Sequence, residues 1–175
     1  VTFDIFTGNA DLVKEQMEKG LIDIGVLLEP IDIEKFEFIR LKGKERWVVL
    51  MRPDDPLAKK EAVNAKDLEN MPLILPRRTN VQNELSNWLG DSFQEQQVLF
   101  TSNLATNSAL MVQRGLAYSL VIEGSVPFWD KEKIAYRPLF PELAANSVLA
   151  WKKQQPFSLA ETKFIEHIKC FLSIT

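Results

Sequence analysis

"TSNLATNSALMVQRGLAYSLVIEG", Thr101 to Gly124, sets a run of small polar side chains ahead of a helix, and the helix ahead of an apolar strand. Ala105, Ala109, Val112 and Leu116 fall at helical spacing, and "AYSLVI" then reads as a buried strand. Capping accounts for one or two of the polar residues at the helix start. It does not account for Thr101, Ser102, Asn103, Thr106, Asn107 and Ser108 together.

Outward from this stretch the apolar period keeps switching between 2 and 3.6, the mark of alternating strands and helices. "VTFDIF" (1–6) alternates as a strand, and Ala10, Val13, Met17 and Leu21 follow at helical spacing, with Gly20 ending that helix. "LIDIGVLL" (21–28) is nearly all apolar, the pattern of a strand covered on both faces. "FEFIRL" and "RWVVLM" predict two extended pieces, and "RPDDPLA" interrupts them with two prolines. "NAKDL" predicts a short helix capped by Asn64, "PLILP" a short buried strand, and Val81, Leu85, Trp88 and Leu89 an amphipathic helix. "QVLF", "IAYRPL" and "SVLAW" read as strands. A closing helix from Ser158 carries a capping-box Glu161 and an apolar face of Phe164, Ile168 and Phe171.

The resulting expectation is an α/β fold with mostly parallel strands and right-handed crossovers. Similar βαβ blocks before and after "RPDDPLA" predict two lobes: residues 1–53, then 54–145, with 146–175 returning to the first.

The chain has 175 residues, 46% hydrophobic and 26% charged, with a formal net charge of −3, a globular composition that argues against gripping nucleic acid by charge alone. A single cysteine, Cys170, rules out an internal disulfide and fits a reducing cytoplasm. No apolar run nears the roughly 20 residues that span a bilayer.

Catalytic signatures are missing from the sequence. His167, the one histidine, lies three residues before Cys170 with no further ligand to complete a metal set. Asp54 and Asp55 sit beside prolines, where turn formation explains them. No G-x-S-x-G, P-loop or G-x-G-x-x-G occurs. The expectation is no enzyme, no catalytic residue, no metal and no cofactor.

Three strand-to-helix turns are rich in small polar groups: "TGNAD" (7–11), "RRTNVQN" (77–83) and "TSNLATN" (101–107). Open α/β sheets bind ligands outside the carboxyl ends of their strands, where helix starts present unpaired amides. Thr7, Asn9, Thr79, Asn80, Ser102, Asn103 and Thr106 are therefore the candidate binding residues, with N-capping the alternative reading of each. Arg77 or Arg78 is suited to a bidentate carboxylate contact.

"EQMEKGLIDIGVLL", "VVLMRPDDPLA", "NSALMVQRGLAYSLVIEG" and "VLAWKK" with the closing helix resemble, in order and spacing, the effector-binding domain of LysR-type transcriptional regulators. Asp55 stands where that family usually has histidine, and Glu123 lies near a position where proline is common. The resemblance implies two Rossmann-like lobes around a cleft, similar to type 2 periplasmic binding proteins, with a small-molecule effector in the cleft. By position it adds Ala10, Ile122 and Glu123 to the effector-binding set; Glu123 in the cleft disfavours a carboxylate and Arg77 favours one. It further implies that Val1 matches the second strand of the domain. DNA is bound only through a helix-turn-helix outside this chain, by a cytoplasmic homodimer or homotetramer. A solute-binding protein of a transport system is the alternative.

Overall fold

The computed structural model describes residues 1–32, 34–126 and 130–174. Its contacts divide the chain into two compact units: residues 1–44 with 146–175, and residues 45–145. The sequence predicts the first crossing at 53/54; in the structure the units divide at 44/45, inside one long strand.

In the first unit, helix α1 (Ala10–Glu18) packs on strand β1 (Ile24–Leu28). Gly20, at φ 71°, turns the chain between them, which favours glycine because a Cβ crowds the backbone there. Gly25 permits the close approach: a Cβ on it would lie 2.5 Å from the Met17 sulfur and 3.2 Å from a Val13 methyl. Strand β2 (Phe36–Met51) enters this unit through its first half. Strand β7 (Ala144–Lys152) pairs antiparallel with β1, from Ile24 opposite Trp151 to Leu28 opposite Ser147. Helix α4 (Leu159–Ile174) closes the unit. Ala10, Val13, Met17, Leu27, Phe36, Val148 and Ala150 form one core cluster, and Leu149, Trp151 and Ile165 anchor a second against Phe164 and Ile168.

The second unit contains the other half of β2, β3 (Leu73–Pro76), α2 (Thr79–Leu89), β4 (Val98–Ser102), α3 (Ala105–Gln113), β5 (Tyr118–Ile122) and β6 (Ala135–Pro138). Its strands run in the order β6-β2-β5-β3-β4. β3 is parallel to β4 and β5, whereas β2 is antiparallel to β5 and β6. Val48, Leu50, Ile74 and Val121 supply the sheet face that α3 covers through Ala109 and Val112. α2 buries Val81, Leu85 and Leu89. Asn64 caps the short 3-10 turn Ala65–Leu68 in a capping box with Asp67, as its sequence predicts.

Several expectations change. Residues 1–9 form no strand: Val1, Phe3 and Ile5 are exposed, because alternation makes a strand only where a neighbour supplies hydrogen bonds, and no described strand pairs there. β1 is fully buried on its Gly25 and Leu27 face, while on the other face Ile24 and Leu28 are half-buried and Val26 is exposed. "FEFIRL" and "RWVVLM" are one continuous strand of 16 residues rather than two pieces. The sheets are mixed rather than mostly parallel, since β2 and β7 return antiparallel. On α4, Ile165 is the buried residue and Phe171 is exposed. Leu116 lies beyond the end of α3, also exposed, after the positive-φ glycine Gly115.

Candidate functional site

The parallel strands β3, β4 and β5 end on the same edge of the second unit's sheet. Pro76 lies opposite Ser102, and β5 runs beside β3 from Tyr118 opposite Leu73. Each of α2 and α3 therefore begins beside the other, at the strand ends where open sheets take ligands.

Neither helix is capped by a side chain. Arg78 is the N-cap residue of α2 and Leu104 that of α3, and neither side chain caps its own helix. Neither helix carries an acidic residue in its first turn. The Ser102 hydroxyl instead bonds locally, donating to the Leu104 carbonyl at 2.8 Å. Arg77 is exposed and its backbone N–H donates to the Ser102 carbonyl at 2.9 Å, locking the two turns together. The Gln82 amide donates to the Pro76 carbonyl at 2.7 Å, a further tie at the same turn. Arg78, not Arg77, is the buried arginine of the pair, 9% exposed. Two arginines at a helix start, added to the positive end of its dipole, make this edge electropositive.

Thr79, Asn80, Asn103 and Thr106 are exposed at this edge and Ser102 is half-buried, so the unit gathers these five candidates. Ile122 ends β5 on the same edge, and Glu123 follows it. Glu123 is not an unopposed negative charge: Arg46 donates to both its oxygens, at 2.8 and 3.0 Å. The objection it raised against an anionic ligand is thereby removed. Gly124 fits beside this pair because a Cβ there would lie 2.6 Å from a Glu45 carboxylate oxygen.

In the first unit the candidates are placed differently. Asn9 is the N-cap of α1, its Oδ1 accepting from the Leu12 N–H at 2.9 Å. Thr7 is exposed, and Ala10 is buried in the core cluster with Val13 and Met17, so its methyl serves packing. Asp11 lies in the first turn of α1.

Three residues of the second unit carry no signal in the sequence. Arg46 meets Glu123 only through the antiparallel register that sets Trp47 opposite Ile122. Trp47 is 3% exposed, and its indole Nε1 has no hydrogen-bond partner among the described residues. The same holds for Glu84 Oε2 on α2, and burial pushes that carboxyl above its ordinary value.

A cavity of about 330 Å³ opens at the opposite edge, lined by Met51, Arg52, Asp55, Val112, Gly115 and Tyr118 among others. It lies at the amino ends of β3 and β5, and its charges are matched internally. Arg52 pairs with Asp54 at 2.6 Å, and the Tyr118 hydroxyl donates to Asp55 at 2.6 Å. Burial, then that bond, push the Tyr118 phenol up to about 12. Asp55 also caps the turn after it, accepting from the Leu57 N–H at 2.8 Å, so the turn reading of the aspartates holds. Among the described residues no group of His, Cys, Asp and Glu is arranged to hold a metal, and Cys170 is exposed. Among the described residues no helix is long and apolar enough to cross a membrane.

Residues 1–173 match the LysR substrate binding domain. The HTH-type transcriptional regulator YvbU of Bacillus subtilis (strain 168) is 30% identical over 163 residues, which are 93% of this chain and 54% of that protein. The chain thus spans about half the length of that relative. Among solved structures, HinK, a LysR family transcriptional regulator from Pseudomonas aeruginosa, superposes with a TM-score of 0.76 at 19% identity, covering 93% of this chain and 58% of HinK. The BenM effector binding domain with its effector benzoate gives 0.70 at 19% identity, covering 95% of this chain and 78% of that one. These structures share the fold: α/β, with the two Rossmann-like lobes of type 2 periplasmic binding proteins. Matched over nearly its whole length by that one family, and sharing its fold, the chain belongs to the LysR substrate binding domain family.

Proposed function

We propose that the chain is the sensing domain of a LysR-type transcriptional regulator and that its effector is a small organic anion held at the second unit's strand-end edge. The observation that carries the reading is the pair of helix starts, α2 and α3, side by side, without a side-chain cap or a first-turn acid. Helix starts left in that state bind anions through their free amides. Arg77 and Arg78 add charge, and Glu123 is neutralised by Arg46. Thr79, Asn80, Ser102, Asn103 and Thr106 provide directed hydrogen bonds around the anion. Benzoate in the BenM domain is in keeping with a carboxylate effector.

The signal is a population shift. An effector changes the state of the protein only by as much as it favours one arrangement over another, typically about 1–3 kcal/mol of coupling. DNA binding belongs to the portion of a regulator outside this chain, in a homodimer or homotetramer within the cytoplasm. The regulatory family of its relatives favours this role over solute transport.

Thermal denaturation against a panel of carboxylates, amino acids, amines and sugars tests the reading. A ligand at 100 times its Kd adds about 2.7 kcal/mol of native stability, which raises the midpoint by several degrees in a domain of this size. Carboxylates are expected to stabilise and amines not. Stabilisation by amines or neutral sugars alone contradicts an anion site.

A further inference from the structure

Trp47 Nε1 and Glu84 Oε2 are buried polar atoms with no hydrogen-bond partner among the described residues. Buried indole N–H groups ordinarily find an acceptor, and an orphaned one in a native protein calls for a cause. Trp47 pairs with Ile122, the last residue of β5, which places it at the carboxyl end of the parallel strands. Strand alternation puts its side chain on the face of Val49 and Leu120, opposite to the Val48, Leu50 and Val121 face that α3 covers.

α2 approaches that same region. Asn80, Glu84 and Trp88 form one row along the helix at four-residue spacing. The Trp88 indole donates to the Pro141 carbonyl at 2.7 Å. Pro141 lies between Leu139 and Leu143, both of which hydrogen-bond to the Trp47 backbone. The row therefore runs along the side of α2 that leans toward Trp47. It starts at Asn80, one of the edge residues, and Glu84 is its next member.

We infer that Trp47 and Glu84 line the inner end of the effector site and that the effector places a hydroxyl group between them. An indole N–H can only donate, and a carboxylate oxygen accepts. A hydroxyl satisfies both at once, accepting from Trp47 and donating to Glu84. A second carboxylate there would face the Glu84 oxygen, and an ammonium would face the indole N–H. With the anion at the helix starts, the ligand class is a hydroxy carboxylic acid. The inference rests on the effector-site reading above and adds to it which group enters deepest.

The test is calorimetric titration of the 175-residue chain with matched acids: glycolate and acetate, lactate and propionate, malate and succinate, 3-hydroxybenzoate and benzoate. The wild type is compared with Trp47→Phe and Glu84→Leu, each checked by its ligand-free melting midpoint. At least one hydroxy acid is expected to bind about tenfold or more tighter than its deoxy partner. Either substitution is expected to bring that ratio near one, by weakening the hydroxy acid relative to its deoxy partner. Equal affinity of hydroxy and deoxy acids in the wild type, or a ratio that survives both substitutions, overturns the inference and leaves the anion site standing. Binding of no acid at all overturns the anion site and this inference with it.

Discussion

The helices of the two units begin in opposite ways. In the first unit Asn9 caps α1 and Asp11 follows in its first turn; Ser158 and Glu161 bond reciprocally at the start of α4. In the second unit α2 and α3 start with Arg78 and Leu104, which cap nothing with their side chains, and neither has a first-turn acid. The first arrangement satisfies orphan amides from within the chain and stabilises the fold. The second leaves them for something else to satisfy, at the strand ends where α/β sheets take ligands. Polar residues at a helix start thus divide into those that close it and those that furnish it.

The largest effect follows from filling the second unit's edge. Thr79→Trp or Ser102→Trp should weaken carboxylate binding by about thirtyfold or more, the roughly 2 kcal/mol of a well-packed contact. The ligand-free midpoint should stay within a few degrees, since Thr79 is exposed and Ser102 half-buried. Retained affinity in both variants would move the site elsewhere.

Stability should respond in the reverse order. Asn9→Ala removes the acceptor of the Leu12 N–H and should cost about 1 kcal/mol in denaturant unfolding. Asn103→Ala and Thr106→Ala, exposed and capping nothing, should stay within about 0.5 kcal/mol. Equal losses at Asn9 and Asn103 would erase the distinction between the two kinds of helix start.

Gly25→Ala tests packing in the first unit, where the added methyl meets the fully buried Met17. Overpacking of this sort costs about 1–3 kcal/mol, less if Met17 changes rotamer. Thermal unfolding of the variant measures it, and no loss would mean that the helix and strand do not approach so closely.

An effect confined to alkaline pH lies at the far edge of the second unit's sheet, where Tyr118 and Asp55 satisfy each other. The folded phenol sits at about 12, above its ordinary value of 10.0. The folded protein therefore holds this proton more tightly than the unfolded chain. That contribution is complete below pH 10 and disappears as pH rises through about 12. Tyr118→Phe should flatten the decline of stability between those values, as urea unfolding at stepped pH would reveal.

Much of the fold was legible because helical spacing is a local property. Val81, Leu85 and Leu89, and the Ser158–Glu161 box, sit where their spacing puts them. What depended on pairing was not legible. "VTFDIF" alternates like a strand yet pairs with nothing described, and "FEFIRLKGKERWVVLM" carries a polar middle that hides a single strand. The same holds for the site. The three polar thresholds could be named from composition and position. The Arg46–Glu123 pair and buried Trp47 could not, because both follow from an antiparallel register with residues some 75 positions away. Nor does sequence distinguish Asn9, which caps its helix, from Asn103, which does not.

The most direct test of the central claim is an amide chemical-shift titration with the carboxylate that stabilises the chain most in thermal denaturation. Free amides at a helix start that receive an anion must move. The account predicts the largest shifts at Thr79, Asn80 and Val81 and at Ala105, Thr106 and Asn107, with Leu12 and Glu161, already bonded to side chains, nearly still. Large shifts at Leu12 and Glu161 with the α2 and α3 starts unmoved would contradict it.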